Sequence, residues 1–216
     1  MIDLLIIALL SYVAGSFPTA IIVGKLTKGI DIREHGSGNA GGTNVFRVLG
    51  WKLGVFVMLV DMLKGFLATT FLSQISFTGD AASFDPVYLK MTAGVFAIVG
   101  HIWTVFAGFR GGKGVGTAAG FLLGLAPQAV LVGFIVFFVI FLSTRYVSLS
   151  SMIASACIPL TLIMQKFVVN TEVPWILIIL TLSISALIIF THRSNIVRLL
   201  NGTENKISNL KGGNAK

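Results

Sequence analysis

The chain alternates long apolar runs with short, densely polar interruptions. A helix needs roughly 20 mostly apolar residues to cross a hydrocarbon core of about 30 Å. Residues 2–24, 51–73, 87–106, 149–166 and 174–191 meet that requirement. The run 115–143 does not fit a single crossing: at about 1.5 Å per residue it overshoots the core. Pro127 divides it, and a proline inside a helix removes a hydrogen bond and clashes with the preceding turn. Two readings follow, one long kinked span or two short spans hinged at residues 126–128.

Charge separates them. If 115–143 crosses twice, Lys25, Lys28, Arg33, Arg47, Lys52, Arg110, Lys113, Arg145 and every basic residue from Arg193 onward share one side, 13 of the 16 Lys and Arg in the chain. Asp31, Glu34 and Glu204 are the only acids beside them. Asp3, Asp80, Asp85 and Glu172 lie opposite, with Lys90 and Lys166. Cytoplasmic loops carry the excess of Lys and Arg, so the basic side is the cytoplasmic one. A single crossing would move Arg145 and the basic C-terminal segment outside and erase most of the bias. The expectation is therefore an all-α, polytopic membrane helical bundle of seven transmembrane helices, N-terminus outside and C-terminus cytoplasmic. Its domain covers residues 1–204, and the polar stretch 205–216 is expected to be a disordered cytoplasmic tail. The short fourth helix, residues 114–125, rises only about 18 Å and needs help from neighbours or local thinning.

Composition narrows the function classes. Hydrophobic residues make up 55% of the chain and charged residues 11%, with mean hydropathy +0.92; soluble domains carry about 25% charged residues. The net charge of +8 is accounted for by topology, so nucleic acid is not expected as a partner. The first residues have no basic n-region and no small-residue cleavage site, and read as a retained anchor. Cys157 is the single cysteine, which excludes a disulfide within the chain and a cysteine-based metal site. No metal-ligand cluster and no cofactor motif is expected, and no internal repeat is visible.

The polar interruptions carry the candidate chemistry. The stretch 30–50, IDIREHGSGNAGGTNVFRVLG, is richer than a connector needs. Glycines let backbone N–H groups approach an anion, arginine offers a planar fork to phosphate, and Ser37, Asn39, Thr43 and Asn44 add neutral donors and acceptors. Gly36-x-Gly38-x-x-Gly41 formally matches a dinucleotide fingerprint, but that motif needs a preceding strand, and a membrane helix precedes it. Before it, Pro18 interrupts the first span within Gly15-Ser-Phe-Pro-Thr19. In the second span Asp61 and Lys64 are spaced i, i+3, on one helix face; at that depth they should pair or face the bundle interior. Gly111-Gly112-Lys113-Gly114 follows Gly100-His101 and precedes a helix start, where free N–H groups favour an anion. It is not a P-loop, because Gly114 stands where Ser or Thr would bind magnesium. Ser148, Ser150 and Ser151 open the sixth span as caps or as the hydroxyl lining of a polar pocket. If the last span continues as helix, His192, Asn195 and Arg198 form one stripe. Asn201-Gly202-Thr203 matches a glycosylation acceptor but falls on the cytoplasmic side.

Taken together, these residues resemble a known family. Gly36-Ser37-Gly38-Asn39 with Thr43, Asn44 and Arg47, then Gly111-Gly112-Lys113-Gly114, then His192 to Glu204 look like the three motifs of the bacterial acyl-phosphate-dependent glycerol-3-phosphate acyltransferases (PlsY). Gly15–Thr19 and Asp61-x-x-Lys64-Gly65 match as well, and Gly42 departs from the pattern, which has Ala. The resemblance runs from about Gly15 to Glu204. It implies a seven-helix inner-membrane enzyme with a cytoplasm-facing site. The reaction it implies moves a fatty acyl group from acyl phosphate to the 1-hydroxyl of sn-glycerol 3-phosphate, giving 1-acylglycerol 3-phosphate (lysophosphatidic acid) and inorganic phosphate, the first step of phospholipid synthesis.

The residues fit such chemistry on their own terms. Both substrates carry phosphate, the membrane bundle suits the acyl chain, and a mixed anhydride is already activated, so an acyl-enzyme is unnecessary. The expected catalytic residues are His192, Asn195 and Ser37, with His192 the one candidate protein base and a substrate phosphate the other candidate base. The expected substrate-binding set is Ser37, Gly38, Asn39, Thr43, Asn44, Arg47, Gly112, Lys113, Gly114, Ser150, Ser151, His192, Asn195, Arg198 and Glu204. Expected partners are the two small-molecule substrates, membrane lipid and a soluble enzyme that forms acyl phosphate. The runner-up reading is a membrane transporter of a phosphorylated metabolite, which would spread polar groups through the midplane instead of confining them to one face. An O-acyltransferase using thioesters is a further enzyme reading, and the His-x4-Asp acyltransferase signature is absent.

Overall fold

The computed structural model describes residues 1–207, and among them every regular element is helical. Among these residues the chain forms two compact units, 1–125 and 126–207. Of the tail expected from 205 to 216, Ile207 is buried and its N–H donates to Arg145 O at 3.1 Å. Residues 208–216 lie outside the described residues.

In the first unit, α1 (Ile2–Gly15) and α2 (Thr19–Lys28) are separated by Pro18, as the sequence requires. After the glycine-rich loop come α3 (Gly42–Leu49), α4 (Trp51–Thr70), α5 (Pro86–Ile102) and α6 (Val115–Leu123). α1 packs on α5, and α4 on α3, α5 and α6. The closest pairs are built on small residues. A Cβ on Gly100 would overlap Tyr12 O of α1, and one on Gly65 or Gly120 would overlap backbone of the facing helix. In lipid, where apolar burial drives no association between helices, such close approach supplies packing energy. Two small apolar clusters result, Ile7, Ala68, Leu89, Ala93 and Ala97 in one, and Ile21, Val23, Ile32, Val45 and Val57 in the other. The second presses the glycine-rich loop onto α2, α3 and α4.

The loop 74–85 is tied down. The buried Asp3 carboxylate accepts from Ser76 Oγ at 2.6 Å and from the N–H groups of Phe77, Thr78 and Ala81. Asp80 answers by accepting from the N–H groups of Ile2 and Asp3.

The second unit holds α7 (Pro127–Thr144), α8 (Val147–Phe167), α9 (Trp175–Thr191) and α10 (Arg193–Leu200). α7 packs along α8, and α8 on α9. One face of α7 exposes Leu131, Ile135, Phe138, Val139 and Leu142, the face of a helix whose solvent is lipid.

Five stretches are long and apolar enough to cross a membrane: Ile2–Lys28, Trp51–Gln74, Pro86–Ala107, Pro127–Thr144 and Val147–Phe167. A sixth is reached if Trp175–Thr191 and Arg193–Leu200, bent by 59°, count as one. The expected count of seven therefore depends on α6. Its 9 residues rise about 14 Å, under half the hydrocarbon thickness.

Candidate active site

The glycine-rich loop is organised by one buried amide. Asn44 is 1% exposed. Its Oδ1 accepts from Ser37 N at 2.8 Å, and its Nδ2 donates to Ile32 O and His35 O, both at 2.9 Å. Gly36 and Gly38 are left-handed, φ +61 and +73, and a Cβ on Gly36 would overlap Asn44 Oδ1. Ser37, Asn39 and Thr43 are left half-buried around this clamp and Gly38 exposed. Asn44, expected to meet substrate, instead has both ends of its amide engaged with the loop, and its role is to shape it. Arg47 is also half-buried on α3, one turn beyond Thr43 and on the same face.

The other arginine of the stretch serves the scaffold. Arg33 pairs with Asp31 at 2.7 Å and donates to Ala107 O at 2.8 Å, beyond the end of α5. The hydrogen bond from Arg33, opposed by partial burial, brings the Asp31 carboxyl down to about 2.

The Gly111–Gly114 turn differs from the anion cradle its glycines suggest. Gly111 N donates to Ile102 O at 3.0 Å and Gly112 N to His101 O at 3.1 Å. Gly112 is buried, and a Cβ there would overlap the His101 ring. Gly114 is left-handed, φ +86, and caps α6 against Ile102 and Ile98. Gly112 and Gly114, expected to bind substrate, thus shape the turn. Its charge resides in Lys113, which is half-buried between them.

Beneath the turn lies a polar cluster inside the spans. Lys64 and Asp61 pair at 2.9 Å, as their spacing demands, and both are buried. His101 Nδ1 stands 3.5 Å from the same carboxylate oxygen, and Thr19 Oγ1 donates to it at 3.5 Å. A small pocket runs among Pro18, Thr19, Ala40, Asp61, Lys64, His101 and Gly112.

The second unit builds its own hub. α9 does not continue as one helix: it breaks at His192 and α10 departs at 59°, so the expected straight stripe does not form. The break leaves His192 buried, with Nδ1 2.8 Å from Ile188 O. A carbonyl can only accept, so Nδ1 carries the hydrogen, and in the neutral ring the lone pair sits on Nε2. The turn at Gly202 brings Glu204 back against α10. Glu204 Oε1 accepts from Asn195 Nδ2 at 2.7 Å and Ser148 Oγ at 2.9 Å, and Oε2 from Arg198 Nε at 2.7 Å. Burial raises the Glu204 carboxyl, but the bonds from Asn195, Arg198 and Ser148 outweigh it, and the net displacement is below the ordinary value. Arg198 and Glu204, both expected to bind substrate, pair with each other. Ser150, expected to orient a hydroxyl, donates to Tyr146 O within its own helix at 2.7 Å. Ser151 is buried. The hydroxyl that reaches the hub is Ser148, and nothing in the sequence ranks it above its two neighbours.

Comparison with known proteins identifies the family. The sequence profile of a family described as glycerol-3-phosphate acyltransferase matches residues 5–202. The chain belongs to that family. Relatives called glycerol-3-phosphate acyltransferase include one from Chlorobium phaeovibrioides, 43% identical over 96% of this chain and 98% of its own. Another, from Chlorobaculum tepidum, is 43% identical over the same shares. Among solved structures, the fold is similar to PlsY (YgiH), an integral membrane glycerol 3-phosphate acyltransferase, in its glycerol 3-phosphate form. The TM-score is 0.82 at 38% identity, over 95% of this chain and 96% of that one. The lysophosphatidic acid form of PlsY gives 0.80 at 37% identity, over 96% and 97%. The chain is thus a membrane acyltransferase of the PlsY type, and acyltransfer displaces the transporter reading.

Proposed function

We propose that the chain transfers a fatty acyl group from acyl phosphate directly to the 1-hydroxyl of sn-glycerol 3-phosphate. The observation that carries this reading is the His192 tautomer: with Nδ1–H on Ile188 O, Nε2 is the basic nitrogen. The hydroxyl oxygen attacks the acyl carbon, a new ester C–O bond forms, and the bond from carbonyl carbon to phosphate oxygen breaks. Inorganic phosphate leaves, and the hydroxyl proton goes to Nε2 or to the departing phosphate. Asn195, fixed by Glu204, and the Ser148 hydroxyl frame the acceptor. Ser37 and Asn39 hold the leaving phosphate, whose growing charge they stabilise, and Arg47 and Lys113 bind the phosphate of glycerol 3-phosphate. An acyl phosphate is activated enough to need no acyl-enzyme.

The matching topology is seven spans in the bacterial inner membrane, N-terminus outside and C-terminus cytoplasmic, with the site toward the cytoplasm. Its support lies in the second unit. Gln128 at the start of α7 accepts from Gln165 near the end of α8 at 2.8 Å. α7 alone therefore runs the length of α8, and residues 114–125 are left as a separate short crossing. A cysteine placed at Gln128 should react with an impermeant thiol reagent from outside in intact cells; labelling only from the cytoplasmic side would refute seven spans.

Purified protein given acyl phosphate and glycerol 3-phosphate should release phosphate and lysophosphatidic acid in equal amounts. Turnover with acyl-CoA or acyl-carrier protein but not with acyl phosphate would reject the donor. His192→Ala should lower kcat by about 100-fold or more with saturating substrates if His192 is the base. Near-wild-type turnover would assign the proton to the phosphate.

A further inference from the structure

Lys113 has a flexible stem, yet the backbone that carries it rests on a fixed floor. Gly111 and Gly112 are hydrogen-bonded to the last carbonyls of α5. A Cβ on Gly112 would overlap Nε2 and Cε1 of His101, and one on Gly111 would overlap His101 O. The imidazole is thus in contact with the turn along its Nε2 edge.

The other edge of the ring faces Asp61, with Nδ1 at 3.5 Å. That carboxylate is itself anchored twice more, by Lys64 Nζ at 2.9 Å and Thr19 Oγ1 at 3.5 Å, all on Oδ1. Lys64 Nζ also donates to Phe17 O at 3.3 Å, next to the break at Pro18. Thr104 Oγ1 donates to Ser16 O on the same break. The interrupted first span, α4, the end of α5 and the glycine turn are joined through these contacts.

Asp61, Lys64 and His101 are each under a tenth exposed, and ionisable groups inside spans are expensive enough to need a reason. Asp61 and Lys64 already neutralise each other. What the third member adds is contact with the turn that bears Lys113.

We propose that His101, oriented by Asp61, is a positioning residue for glycerol 3-phosphate. Its ring sets where Gly111 and Gly112 lie and so where the Lys113 ammonium meets the substrate phosphate. Granting that Lys113 binds that phosphate, His101 acts through Gly112 and Lys113 and does not touch substrate. Its effect belongs in acceptor binding and not in the acyl-transfer step.

The test is steady-state kinetics of purified enzyme with varied glycerol 3-phosphate. His101→Ala should raise the acceptor KM about tenfold or more, with kcat changed less than about threefold and the donor KM unchanged. Gly112→Ala, whose methyl strikes the ring, should raise the acceptor KM further. Adding His101→Ala to it should bring the KM back to that of His101→Ala alone, because the ring that was struck is gone. An unchanged acceptor KM in His101→Ala, or a Gly112→Ala defect that His101→Ala does not relieve, overturns the proposal. Where His101→Ala does not give a monodisperse protein, His101→Asn keeps a donor toward Asp61 and removes the edge over Gly112. It should show the same KM shift, and a wild-type KM there overturns the proposal equally. Failure of acyl phosphate as donor is a separate result: with whichever donor turns over, the acceptor KM still decides the role of His101.

Discussion

Asn44 in the first unit and Glu204 in the second are both buried hubs with three partners, but they are built from different chemistry. Asn44 is a neutral amide with donors and an acceptor, and all its partners are backbone groups within 12 residues of it. It needs no counter-charge, so one side chain can organise a loop alone. Glu204 is a carboxylate. It gathers side chains from α8 and α10, and it draws Arg198 into the hub as counter-ion. The difference explains why Arg198, an arginine that looks ready for phosphate, is committed to Glu204. A neutral hub shapes backbone amides; a charged hub places side chains.

That contrast predicts unequal damage. The largest effect is expected from Glu204→Gln, which turns an amide NH2 toward the Arg198 guanidinium. Breaking a buried pair by removing one partner costs about 3–5 kcal/mol. With the Arg198 side chain 31% exposed, roughly 2 kcal/mol is expected, read as a lower melting temperature. Activity should fall further than stability alone explains, because Asn195 is no longer fixed by a charged acceptor. Arg198→Gln added to Glu204→Gln should restore part of the melting temperature. No recovery would mean that the pair is not what the hub depends on.

Next in size is Asn44→Ala, which strands Ser37 N and two carbonyls for about 1–3 kcal/mol, softened by water that can reach the half-exposed loop. Asn44→Asp is the sharper variant: it keeps an acceptor for Ser37 N but turns a carboxylate oxygen toward Ile32 O and His35 O. It should be no better than Ala in thermal unfolding, and wild-type stability in Asn44→Asp would break the idea that neutrality matters at this hub.

A smaller effect is expected from acid. The Glu204 carboxyl is displaced below its ordinary value of 4.5, so the unfolded chain takes up the proton at the higher pH. The stability it contributes is complete above that value and is lost as pH falls through the folded value beneath it. The difference in melting temperature between wild type and Glu204→Gln should therefore shrink as pH drops below about 4.5. A gap that stays constant into acid would contradict the displacement.

A last contrast lies within one helix turn. Ser148→Ala removes a hydrogen bond to a charged group worth about 1.5–3 kcal/mol, whereas Ser150→Ala removes only a back-bond to Tyr146 O and should leave turnover within about twofold. Equal losses at the two positions would place the site hydroxyl wrongly.

Much of the architecture was legible in the sequence because its causes are local. Apolar length marks the spans, Pro18 and Pro127 mark their breaks, and the i, i+3 spacing of Asp61 and Lys64 is enough to pair them. Gly114 was legible as a helix start, and α6 begins one residue after it. Other readings required knowledge of what lies next to a residue. Gly112 looks like an amide for phosphate until its N–H is found on His101 O. Nothing in the spacing of Arg198 and Glu204 announces that they pair with each other. Ser148, Ser150 and Ser151 are indistinguishable as letters, and their directions on α8 separate them. The bend at His192 carries no proline or glycine to announce it.

Composition and periodicity by themselves determined that this protein lives in a membrane, where its polar groups gather, and through the order of its motifs which family it resembles. Those properties follow from the solvent each residue can tolerate and from spacing along one helix. Tertiary structure alone decided which polar groups partner one another. A buried donor or acceptor must find a partner somewhere, and that partner is commonly tens of residues away, as Ser148 is from Glu204 and Asp61 from His101.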